Sequence, residues 1–414
     1  MEVEKFNSLS LEEWPTLTQP VVKKCEFDLT IPFHRLPLLV QVQVVQTMGL
    51  KDWINLAMTS KRNERVLKLA RIKTESPCVE ICLNACIKFS SLKLNLCYDN
   101  MHWKTKKWEM MNKEDMKSWL NGLNSSMIEN AAILYQKMQN VFVFPNNLTI
   151  DFCTDFPRKA TIRELLSNPG MKNWKDLTIY GKTISSEDLR MIMDTATLHR
   201  TFNSAVEKMP LGFKHENAFR FFHQIYHDAR WVKMEDLYGL RNLVYVSLYR
   251  NLFTHEQLKS FVNYWVNSEV DMFSVIQIET DPLNFENLID GFHGLQGSGP
   301  NSELFFTLSK SSSKMREQTM LRISYDVMEK CLLLEAWYVD EKYTPSENDE
   351  ENKKFENVGL ILTLLRKKKK LEDLREEASE EAKLKVNKKI NKLIAALSEL
   401  NVIFINGKAT HELF

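Results

Sequence analysis

A short apolar unit recurs along the middle of the chain, and its period restricts the fold more than any other feature. Apolar residues fill positions 1, 4, 6 and 11, and a polar or small residue fills position 9. Leu243, Val246, Leu248, Asn251 and Phe253 make the best copy. Trp174, Leu177, Ile179, Lys182 and Ile184 make a second, and Phe273, Ile276, Ile278, Asp281 and Leu283 a third. Pro145, Leu148, Ile150 and Cys153 form a poorer one. The copies start 29, 69 and 30 residues apart, so the long interval predicts one degenerate unit near residues 205–215. Each clear copy leads toward a helix start. Ser185 with Asp188 precedes Leu189 and Met193, and Thr254 with Gln257 precedes Leu258, Phe261 and Trp265. Such pairs satisfy the unpaired N–H groups of a first helical turn.

One strand-turn-helix unit cannot cover its own apolar face, so neighbours stack and share a core. A period of about 30 residues follows leucine-rich-repeat logic. Ordinary α/β alternation would give part of the same signal.

Upstream, Leu36, Val40, Val44 and Met48 recur every fourth residue, which is one helical face. Pro37 suits a first helical turn because its missing N–H is unpaired there anyway. Val40-Gln-Val-Gln-Val44 also alternates strictly, which on local grounds is a strand. Periodicity leaves the two open. A second segment carries Trp53, Ile54 and Ala57 on one face, with Leu56 beside them. Thr59 and Ser60 offer caps for a third, with Lys61, Arg62, Arg65 and Lys68 outward and Val66, Leu69 and Ile72 inward.

The run Leu36-Pro37-Leu38-Leu39-Val40, with Val44, Met48, Trp53, Leu56 and Asn55-Leu-Ala-Met-Thr-Ser-Lys-Arg62, resembles an F-box, in particular those of the nematode-expanded families. Leu248, Asn251, Thr254, Leu258, Phe261 and Trp265-Val-Asn267 are similar to the type-2 F-box-associated domain of the F-box-B group, and Asn406-Gly-Lys-Ala-Thr410 is similar to the turn near that domain's end. The chain departs from the pattern at Leu39, where many F-boxes are acidic, and at Asn63, where many carry tryptophan. The resemblance implies helix at Val40–Val44. It also implies docking on the Skp adaptor of a cullin-RING ubiquitin ligase, with the second half holding a protein target. Leu36, Pro37, Val40, Val44, Trp53 and Leu56 are assigned to the module's core or its adaptor-binding face, which the sequence does not separate. A three-helix piece this small buries little surface alone, so apolar residues left outside should meet a partner.

Near the other end, eleven basic and six acidic side chains occupy the 27 positions from Arg366 to Lys392. Ile390, Leu393, Leu397 and Leu400, and upstream Leu371, Leu374 and Ala378, keep 3-4-3 spacing. One long or two shorter charged helices are expected, in a coiled-coil-like arrangement. Arg366-Lys-Lys-Lys-Lys370 is either a solvated face or a nuclear-import patch. Asn406-Gly407 between apolar runs signals a hairpin turn.

Catalytic and ligand motifs are sparse. The formal charge of +1 provides no footprint for nucleic acid or an anionic membrane, even though tryptophan and lysine interleave at Trp103–Trp108. His223 and His227 stand one helical turn apart, but Gln224 replaces the glutamate a zincin needs. Cys78, Cys82 and Cys86 would share one helical face, and the apolar residues between them favour buried thiols over zinc. The glycines from Gly291 to Gly299 read as a loop, without the lysine of a phosphate cradle. No cofactor, metal or catalytic residue is assigned, and no enzyme activity is expected. Seven scattered cysteines and an acidic, unapolar start at Met1–Leu11 point to the cytoplasm or nucleus, and no apolar run is long enough for a membrane span.

The expected fold class is α+β or α/β. A loose segment 1–30 precedes a three-helix F-box at 31–75. An irregular leucine-rich-repeat-like strand-helix platform follows at 76–340, then a charged helical insertion at 341–400 and a strand and turn at 401–414.

Overall fold

The computed structural model describes residues 32–82, 85–96, 109–120, 125–145, 147–156, 160–298, 302–311, 313–338 and 357–411. The loose N-terminal segment, the acidic linker at 343–351 and the Trp103–Trp108 run lie outside them. The described residues form a mixed α/β fold, with eleven α-helices and one sixteen-stranded sheet.

Three helices open it: α1 (Leu38–Gln46), α2 (Leu50–Thr59) and α3 (Lys61–Ala70). The Val40–Val44 alternation is therefore helical. Ser60 caps α3 by accepting from Asn63 N at 3.2 Å. Asn63 is buried and donates from Nδ2 to Thr59 Oγ1 at 2.6 Å. Val66 and Ile72 point inward as expected, but Leu69 is exposed and Leu67 and Ala70 take the inner positions.

Four short strands follow, β1 (Cys78–Ile81), β2 (Ala85–Phe89), β3 (Leu92–Asn95) and β4 (Glu109–Met111), the first three antiparallel in turn and β4 parallel to β3. Cys78 and Cys86 thus sit on strands, not on a helix. A spacing of four fits a strand face as well as a helix face, so the thiols alone did not decide. Helix α4 (Met127–Val141), held by a Ser126–Glu129 capping box, returns the chain to the sheet.

Next come six strands in chain order: β5 (Leu148–Cys153), β6 (Trp174–Thr183), β7 (Thr201–Lys208), β8 (His223–Tyr226), β9 (Leu243–Leu248) and β10 (Phe273–Glu279). Each is parallel to the one before it, and β5 is parallel to β1. The connections carry α5 (Ile162–Ser167), α6 (Ser186–Met193), α7 (Met234–Tyr238) and α8 (His255–Asn267), and α9 (Phe285–Ile289) follows β10. Positions 4 and 6 of the repeating unit, such as Leu177 and Ile179 or Val246 and Leu248, point into one core with Leu189, Phe261 and Trp265 of the helices. Position 9 has its own role at Asn251. Its Nδ2 donates to Glu279 O at 2.6 Å and to Leu248 O at 3.3 Å, and its Oδ1 accepts from Phe253 N at 3.0 Å. One amide side chain ties two neighbouring turns together. The long interval holds two strands, β7 and β8, rather than one degenerate unit.

The sheet then turns antiparallel. β11 (Gly294–Ser298), β12 (Ser302–Leu308), β13 (Met320–Asp326) and β14 (Cys331–Trp337) are consecutive in the chain, and β14 pairs with β10. The expected glycine loop is thus in part a strand. Two charged helices follow, α10 (Val358–Glu376) and α11 (Glu380–Glu399), then the hairpin β15 (Val402–Ile405) and β16 (Lys408–His411). Its turn places Asn406 at φ 51° and Gly407 at φ 82°, the double positive pair of a two-residue hairpin loop. β16 runs parallel to β11 and closes that end.

A second core explains the charged helices. Phe305 and Leu321 point into the main core, while Leu304, Phe306 and Met320 point the other way, onto Val358, Ile361, Leu362, Leu365 and Leu397. The helical pair therefore lies on the sheet face opposite α5–α9. Ile390 and Leu397 of the 3-4-3 series are buried, whereas Leu374 is exposed. Among the described residues no helix is long and apolar enough to cross a membrane.

Candidate protein-interaction surfaces

Helix α1 buries one polar residue, Gln41, beside the apolar Val45, and exposes four large apolar ones. Gln41 satisfies half of its amide by donating from Nε2 to Leu36 O at 2.7 Å, closing the turn made by Pro37. Leu38, Leu39, Val40 and Val44 are 53%, 70%, 36% and 38% exposed. The six residues assigned from sequence therefore divide. Pro37, Val40 and Val44 are exposed, and Leu36 is half-buried. Trp53 and Leu56 are half-buried against the main core. Trp53 donates from Nε1 to Val45 O at 2.6 Å and lays its ring 6.2 Å from that of Phe142.

Leu38 and Leu39 belong to the same patch and were not assigned. Their signal was three successive apolar residues, Leu38 to Val40, at a helix start. One helix cannot turn all three toward a single core. Several adjacent large apolar side chains in water mark a contact site.

The second surface is the sheet face away from α5–α9. Along β5, β7 and β8 half-exposed residues alternate with buried ones, whereas β9 also buries Ser247. The register aligns Thr149, Asp176, Thr201, His223 and Tyr245 in one row, and Asp151, Thr178, Asn203, Ile225 and Ser247 in the next. Most of these side chains are polar, with Ile225 the apolar exception, and some pair across strands, as Thr149 Oγ1 does in donating to Asp176 at 3.3 Å. Tyr245 Oη and Ser247 Oγ both donate to Gln277 Oε1, at 2.8 and 3.1 Å. The His223 ring packs edge-on at 4.1 Å from the Tyr245 ring. Burial holds His223 below its ordinary range and favours the neutral imidazole, opposed in part by Asp176. Beyond the strand ends His227 stacks on Tyr249 at 5.3 Å, and within β6 Tyr180 is exposed.

At the β1 end, Glu80 pairs with Lys88 at 3.0 Å and with Lys93 at 3.8 Å. Burial works against its charge, but the Lys88 hydrogen bond and that from Cys86 outweigh burial and hold the carboxyl low. Burial raises Asp151 and pushes the thiols of Cys78, Cys82 and Cys86 up to about 12. Such thiols are poor nucleophiles and poor metal ligands.

The two histidines singled out from sequence sit on a strand and its exit, not on a helix. Four residues along a strand span about 13 Å, so they do not face a common ion. Among the described residues no group of three or more His, Cys, Asp or Glu is arranged to hold a metal. Comparison with family models, with curated proteins and with solved structures finds no match to this chain.

Proposed function

We propose that the chain is the substrate-recognition adaptor of a Skp-cullin-F-box ubiquitin ligase. Helices α1–α3 are its F-box, and the parallel units that follow are a leucine-rich-repeat-like platform for a protein target. The observation that carries this reading is the exposed apolar patch on α1: Leu38, Leu39, Val40 and Val44 lie in water while Gln41 is buried beside Val45. A helix kept only for its own fold has no use for that arrangement, whereas a docking helix requires it. The open sheet face supplies the other half. Its tyrosines and histidines are rigid and amphipathic, and aromatic residues of this kind anchor interfaces. The adaptor contributes proximity rather than chemistry, raising the effective concentration of a target lysine near the ligase's conjugating enzyme. Such a ligase places the chain in the cytoplasm or nucleus.

The test is capture of the Skp adaptor by the full chain, wild type beside a Val40→Asp/Val44→Asp variant. Both substitutions fall at exposed positions, so the variant should fold. Capture by wild type that drops at least tenfold in the variant supports the reading. Failure of folded wild type to capture the adaptor sinks it and leaves a target-binding scaffold with a relic F-box.

A further inference from the structure

Where α10 crosses the end of the sheet, it leaves a trough on either side of one contact, His293 Nε2 donating to the Leu365 carbonyl at 3.0 Å. One side is a cavity of about 560 Å³ and the other of about 340 Å³, and Phe292, His293, Leu365 and Lys369 border both. Volumes of this order accommodate side chains of a bound ligand. The larger cavity has an apolar floor of Phe292, Phe305, Ile394 and Phe404. Gly291, Gly294 and Gly407 form parts of its wall that carry no side chain.

The rim is basic. Six lysine or arginine side chains line the two cavities against three aspartates or glutamates, in a chain whose formal charge is only +1. Lys310, from the strand side, and Lys370, from the helix, pair with no acidic side chain among the described residues. Lys369 pairs with Asp373 at 2.9 Å, but both are more than half exposed. Exposed pairs of this kind are weak and readily exchanged for another carboxylate.

We propose that this groove binds an acidic segment of a protein partner, its aromatic or leucine side chains on the apolar floor and its carboxylates between Lys310 and Lys370. Asp290, Glu372 and Asp373 on the rim repel a continuous polyphosphate. They tolerate a peptide, whose carboxylates are spaced by apolar residues. The site is separate from the α1 patch and from the open sheet face, and the inference stands whether or not the adaptor reading does.

The probe is a fluorescein-labelled ten-residue synthetic peptide in which Phe and Leu alternate with Glu and Asp. Its anisotropy is followed on titration with the full chain at low salt. Controls are the same peptide with Lys for every acid, and a labelled oligouridine. The acidic peptide should bind, weaken as salt rises, and lose roughly tenfold in affinity with Lys310→Glu and again with Lys369→Glu/Lys370→Glu. Melting temperatures should match wild type, since all three positions face solvent. Equal binding of the lysine peptide, preference for the oligouridine, no binding of the acidic peptide, or wild-type affinity in both variants would each overturn the proposal.

Discussion

Arg316 places its guanidinium carbon 3.9 Å from the centre of the Trp265 ring and donates from Nη1 to the carbonyls of Trp265, at 2.7 Å, and Ser268, at 2.6 Å. Nε donates to Gln318 O at 3.1 Å. Trp265 lies in the last turn of α8, where its carbonyl also accepts from the capping Ser268 N–H at 3.2 Å. An arginine from the approach to β13 thus caps the helix of a parallel unit and fastens the antiparallel strands to it. Burial pushes the guanidinium down to about 10, still charged at neutral pH.

Arg316→Met should therefore destabilise the fold by about 3 kcal/mol, because three carbonyls lose a buried donor and the cation–π contact disappears. Arg316→Lys should recover only part of that, since a point charge cannot fork to two carbonyls while lying flat on indole. Urea denaturation measures both. A loss below about 1 kcal/mol for the methionine variant would mean that other donors reach those carbonyls.

Gln224 is fully buried, and neither Oε1 nor Nε2 has a hydrogen-bond partner among the described residues. It points from β8 into the main core between Phe202 and Val246. An unpaired buried amide is unfavourable by about 1–3 kcal/mol. Gln224→Met keeps a similar volume and should raise stability by about 1–2 kcal/mol. Unchanged or lowered stability would point to an internal water bonded to the amide.

Gln224 also explains what the sequence concealed. The unit is legible at β6, β9 and β10, where both inner positions are apolar, and their strands begin at the residues the pattern names. It is illegible at β7 and β8, where Ser204 and Gln224 occupy buried positions and break the apolar signature. At Val40–Val44 helical and strand periods fit equally well, and the fold makes the segment helical, with Gln41 and Val45 on its buried side. The candidate surfaces were half legible for a related reason. Sequence marks apolar residues but not their direction, so it sets Trp53 and Leu56 beside Val40 and Val44, and the packing separates them.

The α1 patch should be dispensable for folding. Leu39→Ser should change stability by less than about 0.5 kcal/mol, because the side chain already lies in water. Val45→Ala on the opposite face, at full burial, should lose about 2 kcal/mol through its cavity. Equal losses at the two positions would mean that Leu39 is covered within the chain itself, and would remove the patch as a docking face.

The thiols of Cys78, Cys82 and Cys86 give a pH dependence. In the unfolded chain they ionise near 9, and in the fold not until about 12, because burial comes first and Asp151 or Glu80 adds to it. Between those values the unfolded chain has lost protons that the folded chain still holds. Their contribution is therefore complete below pH 9 and declines as pH rises toward 12. Unfolding free energies at about pH 8 and about pH 10 should fall more steeply for wild type than for Cys86→Ala. Parallel slopes would show that Cys86 ionises alike in both states.

Gly294 opens β11 opposite Thr307, in a stretch whose glycines suggested a loop. A Cβ there would come within 2.0 Å of the Phe306 carbonyl oxygen and 2.5 Å of Phe305 Cζ. The oxygen is backbone and cannot swing aside, so the strand pair would have to separate. Phe305 and Phe306 face opposite cores, so the separation would disturb both. Gly294→Ala should destabilise the protein by about 3 kcal/mol and weaken the seating of α10 and α11, which rest on Phe306 and Leu295. Gly212→Ala is the matched control, since nothing lies within 4 Å of its Cβ, and it should be neutral or slightly stabilising. Denaturant melts of the two variants decide the matter. If both behave alike, β11 and β12 do not approach as closely as this pairing requires, and the glycines mark flexibility rather than contact.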